Sequence, residues 1–245
     1  MSSPIANRPL PALALLAGGF ATRLHPITIT MPKSLVAVAG EPFVGHQLRL
    51  LASQGVSNIV ICCGHFADQI EAYVGDGARF GCRVSYSLDG ENPLGTGGAL
   101  RKALPLLGDH FFVMYGDSFL DTDFRAGYAA FVGAEKPALM TVFRNAGRWD
   151  QSNVEFVDNQ IRRYDKTNKT PAMQFIDYGL GILTARVIGE RPLGAKFDLA
   201  DVYRALVERG LLAGYEVHER FYEIGSPAGL AEANSYLMKR QRIGQ

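Results

Sequence analysis

Apolar residues in this chain come in short dense runs, separated by segments whose apolar positions recur at helical spacing. The first run, residues 12–17 (Ala-Leu-Ala-Leu-Leu-Ala), holds no charge and no turn former. It predicts a strand buried on both faces of a largely parallel sheet. Residues 42–54 carry Phe43, Val44, Leu48, Leu50 and Leu51 on a helical period and stop at Gly55, a common residue just past a helix end. A second buried strand is predicted over 58–63. A helix then runs through Phe66, Ile70 and Val74 to Gly75, followed by a strand at 84–88, a helix at 98–107 and a strand at 111–115. Successive β-α-β units of this kind give parallel strands with right-handed crossovers, and ligands then belong at the C-terminal strand ends.

The second half has a different rhythm. Residues 137–143, 153–164 and 174–184 read as strands with fewer helices between them, and 154–161 has the polar break of a hairpin. Helices are expected over 198–209 and 227–240, with Asp198 and Ser226-Pro227 at their starts. No repeat, low-complexity tract or linker interrupts the chain. The expected fold is α/β: a Rossmann-like mixed, mostly parallel sheet flanked by helices, in one continuous domain over residues 1–245.

Composition narrows the function classes. Hydrophobic residues make up 47% of the 245 and charged residues 20%, enough apolar material for a large core. The 25 Lys+Arg nearly balance the 24 Asp+Glu, for a net charge of +1. A protein gripping a nucleic-acid backbone would show a basic excess or stripe. Here Arg162-Arg163 and the Lys239–Arg242 run are short solvated groups, so no nucleic-acid partner is expected. Cys62, Cys63 and Cys82 have neither disulfide nor zinc spacing and read as small buried hydrophobes. No apolar stretch suits a secretion signal or a membrane span, which makes a reduced, cytoplasmic protein without a membrane partner the expectation. The five histidines show no metal-ligand spacing, and no G-x-S-x-G elbow makes Ser118 a nucleophile.

The chemistry begins where the first strand ends, in Gly18-Gly19, Thr22-Arg23-Leu24 and Pro32-Lys33-Ser34-Leu35. Glycines at a strand end let backbone amides approach an anion. Arg23 offers a planar fork of donors and Lys33 a compact charge, both suited to phosphate oxygens. The spacing is not that of a Walker A loop, and Gly95-Thr96-Gly97-Gly98 misses the dinucleotide fingerprint because its last glycine would fall on Leu100.

The run G-G-x-x-T-R-L…P-K-x-L resembles the signature of the sugar-phosphate nucleotidylyltransferases, also called nucleotide-sugar pyrophosphorylases. Four later segments, in the family order, are similar to its other motifs. They are Pro93–Leu100, Tyr115-Gly116-Asp117, Asp165-Lys166 followed by Asp177-Tyr178-Gly179, and Glu223-Ile224-Gly225-Ser226-Pro227. The resemblance implies a reaction of a nucleoside triphosphate with a sugar 1-phosphate, giving a nucleotide-sugar and pyrophosphate. It implies that Arg23 and Lys33 are catalytic, and that Leu16, Ala17, Gly18, Gly19, Glu91, Gly95 and Thr96 bind nucleotide. Glu91 would accept hydrogen bonds from guanine's N1–H and amino group. Asp165, Lys166 and Gly179 would hold the sugar phosphate, and Asp117 and Glu223 would hold Mg2+, a hard ion commonly bound by one or two carboxylates plus phosphates.

Three positions depart from the family pattern. Glu223 and Asp165 stand where aspartate and glutamate, respectively, are usual, and Asp177 replaces the usual residue of the N-x-G strand. The pattern is most similar to the short heptose-1-phosphate and mannose-1-phosphate guanylyltransferases, which makes GTP the favoured triphosphate; uridylyl- and cytidylyltransferases share enough of it to stay open. A nucleotide-facing half at about 10–120 and a sugar-facing half at about 121–245 follow. The chain ends soon after its last expected helix, so no β-helix acyltransferase domain is expected. A homo-oligomer stays open, and a catalytically silent nucleotide-sugar sensor is the rival reading.

Overall fold

The computed structural model describes residues 9–19, 22–90 and 92–243. The first half contains β1 (Leu13–Leu16), β2 (Ala37–Val38), β3 (Glu41–Pro42), α1 (Phe43–Ser53), β4 (Asn58–Cys63), α2 (Ala67–Val74), β5 (Arg83–Leu88), α3 (Gly95–Leu107), β6 (His110–Tyr115) and β7 (Ser118–Phe119). The second contains α4 (Phe124–Ala134), β8 (Ala138–Phe143), β9 (Val154–Val157), β10 (Gln160–Tyr164), β11 (Ile176–Thr184), α5 (Ala185–Gly189), α6 (Leu199–Glu208), β12 (Leu212–Val217), β13 (Tyr222–Glu223) and α7 (Pro227–Ile243).

Nine of these strands form one mixed sheet in the order β5-β4-β1-β6-β11-β8-β12-β10-β9. The first four are parallel to one another, as their β-α-β sequence requires. β11 runs antiparallel to both neighbours and joins that block to the parallel pair β8–β12. The expected hairpin is β9–β10, turned by Asp158 and Asn159 at φ 51° and 58°, the left-handed pair a two-residue turn needs.

Alternation along β1 shows how the core is divided. Leu13 and Leu15 face a layer built with α1, α2 and α4, while Ala14 and Leu16 face one built with α3, α5 and α6. Adjacent Cys63 and Cys62 split between the same two layers, buried and unpaired, as their place in a strand dictates. A third cluster joins α7 to β7 through Ile224, Leu237, Phe119 and Phe43.

Several elements escaped the sequence reading. α4 is capped by Asp123, whose carboxylate accepts from the Arg125 and Ala126 amides at 2.9 and 3.0 Å. Asp121, two residues before this cap, accepts from Tyr236 Oη at 2.7 Å and pairs with Arg240, tying α7 to the segment after β7. Arg240 is therefore not a purely solvated end. β12 was missed because Gly214 and the polar positions of its second half break the apolar run. α3 begins at Gly95, three residues before the expected start.

The chain runs β1, β4, β5 outward and then returns across β1 to lay down β6. β1 is thus the point where the winding reverses, and loops at its C-terminal end open into a crevice.

Candidate active site

A cavity of about 290 Å3 occupies that crevice, lined by Leu16, Ala17, Gly18 and Gly19 from the β1 end and by Gly95 and Thr96 from α3. Lys33, Tyr115 and Asp117 are among its polar groups. Eight residues assigned from sequence are therefore brought to one place.

Asp117 is placed by β6. A methyl on Gly116 would lie 2.8 Å from the Leu16 carbonyl oxygen, so only glycine lets the β6 end press against β1 and carry Asp117 to the crevice. Beneath this turn, Gln47 Nε2 donates to the carbonyls of Tyr115 and Ser118 at 3.2 and 2.8 Å. Lys33 sits on a single 3-10 turn after Pro32 and donates to Asp117 Oδ2 at 2.8 Å. Ser118 Oγ donates to Oδ1 at 3.2 Å. An ion pair in the cavity thus joins the cation and the carboxylate that the sequence assigned to phosphate and metal.

Glu223 reaches the same neighbourhood through a two-residue ladder, in which Glu223 pairs with Ser118 and Ile224 N donates to Asp117 O at 2.9 Å. Its carboxylate, however, is turned onto its own loop: the Gly225 amide donates to Oε2 and Ser226 Oγ to Oε1 at 3.0 Å. Arg23 lies at the same turn, with Nη2 placed 3.2 Å from where a methyl on Gly225 would be. Among the described residues no group of three or more His, Cys, Asp or Glu gathers as a metal cage. Two carboxylates, each with oxygen lone pairs to spare, still fit magnesium, which usually completes its shell with water and phosphate oxygens.

Lys166 Nζ stands 5.4 Å from the Tyr115 ring centre and 6.0 Å from that of Tyr164. Gly179, at φ +96°, lies against Tyr115 as well, so both assigned residues border the crevice. The Asp165 carboxylate is engaged by its own loop. It accepts from the Thr167 and Asn168 amides at 2.8 Å each, and these bonds, Asn168 first, hold its carboxyl down at about 2. It shapes the loop that carries Lys166. Burial pushes the Tyr115 phenol well above its ordinary value, with Asp177, Asp117 and Asp198 adding to the effect, so it stays a hydrogen-bond donor.

The glycine-rich start of α3 lines the cavity through Gly95 and Thr96 and also docks onto the segment before α6. The amides of Gly97 and Gly98, orphan donors of a helix start, both donate to Phe197 O at 3.0 and 3.2 Å. Thr96 Oγ1 accepts from Leu199 N at 2.8 Å. The glycines thus serve docking onto the segment before α6. Gly95 has φ +72°, and a methyl there would lie 2.6 Å from Phe197 O. Gly95→Ala should cost about 2 kcal/mol from backbone strain and collision, a fall in melting temperature of roughly 4–8 °C. An unchanged thermal unfolding curve would show that this docking is dispensable.

Glu91 lies outside the described residues. Besides Tyr115, three polar cavity residues were not assigned from sequence as binding groups: Asp89, Asp198 and Ser34. Asp89 follows directly on a predicted strand, so its place at a strand end was the signal available. Asp198 was read only as a helix start. Ser34 lay hidden inside the P-K-x-L run.

A glycine-bearing turn, an ammonium–carboxylate pair and an apolar slot meet at the point where the α/β sheet reverses, a setting suited to a phosphate-bearing ligand. More narrowly, the chain belongs to the nucleotidyl transferase family, whose model matches residues 13–240. It is 28% identical over 219 residues to the mannose-1-phosphate guanylyltransferase catalytic subunit beta of Xenopus tropicalis, covering 87% of this chain and 61% of that one. It is 30% identical over 225 residues to the N-acetylmuramate alpha-1-phosphate uridylyltransferase of Neisseria meningitidis, covering 90% and 96%. The chain thus spans less than two thirds of the first relative and nearly all of the second. The fold matches that of HddC from Yersinia pseudotuberculosis with a TM-score of 0.75 at 22% identity, over 93% of this chain and 100% of that one. Among the described residues no helix is long and apolar enough to cross a membrane.

Proposed function

We propose that the protein is a magnesium-dependent sugar-1-phosphate nucleotidyltransferase that favours GTP and takes a heptose or hexose 1-phosphate. The observation that carries this reading is the Lys33–Asp117 pair, held at 2.8 Å in the cavity that Leu16–Gly19 and Gly95-Thr96 also line. The chain acts as a single nucleotidyltransferase domain in the cytoplasm, its nucleotide-facing half at about 10–120 and its sugar-facing half at about 121–245.

In this reaction the sugar phosphate oxygen attacks the α-phosphorus in line, and pyrophosphate leaves on the opposite side. The attacking group is already anionic, so orientation and charge neutralisation do the chemistry. Gly18 and Gly19 let the triphosphate approach the backbone at the β1 end. Lys33 leaves Asp117 for the α-phosphate, where charge develops. Arg23, exposed beside the Gly225 turn, holds the leaving pyrophosphate. Lys166 steers the sugar phosphate, and Asp165 positions Lys166 by fixing its loop. Asp117, with Glu223 beside it, would hold magnesium, which when bound neutralises phosphate charge.

The rival reading is a catalytically silent sensor of nucleotide-sugars. The engagement of both Glu223 carboxylate oxygens by its own turn favours it. Against it, a sensor has no need of an ammonium–carboxylate pair in its phosphate site. A matrix of GTP, UTP, CTP and dTTP against hexose and heptose 1-phosphates, with magnesium and read by pyrophosphate release, tests the proposal. At least one pair, with GTP favoured, should release pyrophosphate. Binding of nucleotide-sugars without turnover of any pair would establish the sensor.

A further inference from the structure

Asp117 owes its place to a turn whose backbone is held from several sides. The Gly116 amide donates to Leu16 O and the Ile224 amide to Asp117 O, both at 2.9 Å. Two further carbonyls, of Tyr115 and Ser118, flank the Gly116-Asp117 pair. The β6–β11 ladder stops at the Leu180–Met114 pair and does not reach Tyr115. One side chain meets both carbonyls. Gln47, fully buried in α1, donates from Nε2 to Tyr115 O at 3.2 Å and to Ser118 O at 2.8 Å. Two acceptors on one side fix the amide's orientation, because a flipped amide would set Oε1 against both carbonyl oxygens. Oε1 is left buried without a hydrogen-bond partner. That orphan acceptor is a cost that an apolar side chain of the same length would not carry. Packing of α1 alone gives no reason for an amide here.

We propose that Gln47 is a positioning residue for the divalent cation: by holding the Tyr115–Ser118 turn, it sets the spacing of the Asp117 and Glu223 carboxylates. This deepens, and rests on, the nucleotidyltransferase reading above. Ser118 stands opposite Glu223 in the two-strand ladder, so the turn that carries Asp117 also fixes the backbone of Glu223. Gln47 therefore bears on both carboxylates through the main chain, with its two amide hydrogens spent on the turn. Precision is what such a brace supplies. Magnesium demands near-octahedral geometry at about 2.0–2.1 Å, so its ligands tolerate little displacement. Without the amide, two buried carbonyls must find other donors, and the turn shifts to reach them. A shift of about 1 Å is enough to spoil a reacting geometry.

The test compares wild type with Gln47→Met, Gln47→Asn and Leu51→Ala. Methionine keeps the length but has no donor; asparagine keeps the amide but draws it back from the turn. Leu51 is fully buried one turn further along α1, so its truncation weakens the same helix and leaves the two hydrogen bonds in place. Each protein is read by thermal melting and by steady-state kinetics across a magnesium titration. Mn2+ binding, with and without GTP, is read by electron paramagnetic resonance. Gln47→Met should lower kcat about ten- to a hundredfold and weaken Mn2+ binding by about tenfold or more. Gln47→Asn should move both in the same direction. Leu51→Ala should melt below wild type, yet keep its kcat, magnesium response and Mn2+ affinity. Unchanged Mn2+ affinity and magnesium response in a folded Gln47 variant would overturn the assignment. Equal losses in Leu51→Ala, or failure of both Gln47 variants to fold, would overturn it too and make Gln47 a structural brace. If wild type turns over no sugar phosphate, the reaction reading fails, and Mn2+ binding alone decides Gln47. Weaker binding in Gln47→Met than in Leu51→Ala then supports it; equal binding, or none in wild type, overturns it.

Discussion

Replacing Lys33 by methionine should lower turnover by at least about a hundredfold, a loss of roughly 3 kcal/mol of transition-state stabilisation. The same change should alter folding stability by only about 1 kcal/mol. The Lys33–Asp117 pair retains contact with water, with side chains 16% and 31% exposed, so breaking it costs far less than breaking a buried pair. Steady-state kinetics beside a thermal melt separate the two effects. On the proposed mechanism Lys33 moves from Asp117 to the α-phosphate, so the loss should fall on kcat more than on the KM for triphosphate. A Lys33→Met protein that melts many degrees lower yet turns over normally would make the pair a structural brace.

Asp117→Asn should be nearly as damaging and should also raise the magnesium concentration needed for half-maximal rate. Glu223 should respond more gently, because its carboxylate is already bonded to the Gly225 amide and Ser226 Oγ. Glu223→Gln keeps an acceptor for that turn but loses the charge, and should shift the magnesium titration upward several-fold with little change in melting. Glu223→Asp shortens the reach. If Glu223 touches the metal directly, this variant should titrate to the weaker side of wild type; if water intervenes, it should stay close to wild type while Glu223→Gln does not. A Glu223→Gln enzyme indistinguishable from wild type across the full titration would leave Asp117 as the only carboxylate on the metal.

Much of this site was legible because it lies where strands end. An apolar run followed by Gly18-Gly19, and another followed by Gly116-Asp117, fixed two walls of the crevice, since parallel strands bring their C-terminal ends together whatever the loops do. What was not legible were the partners acquired in three dimensions. Asp165 and Lys166 are neighbours in sequence, yet the Thr167 and Asn168 amides claim the Asp165 carboxylate while Lys166 reaches Tyr115. Gly95 and Thr96 face the cavity, but the Gly97 and Gly98 amides go to Phe197, about a hundred residues away, a contact that no local pattern encodes.

The central claim is transfer of a nucleotidyl group to a sugar phosphate. It is tested most directly with GTP labelled separately at the α- and γ-phosphates, incubated with magnesium and a sugar 1-phosphate. The account predicts that the α-label appears in a nucleotide-sugar and the γ-label in pyrophosphate, in equal amounts and only when the sugar phosphate is present. Release of the γ-label as orthophosphate, or label release independent of the sugar phosphate, would contradict it.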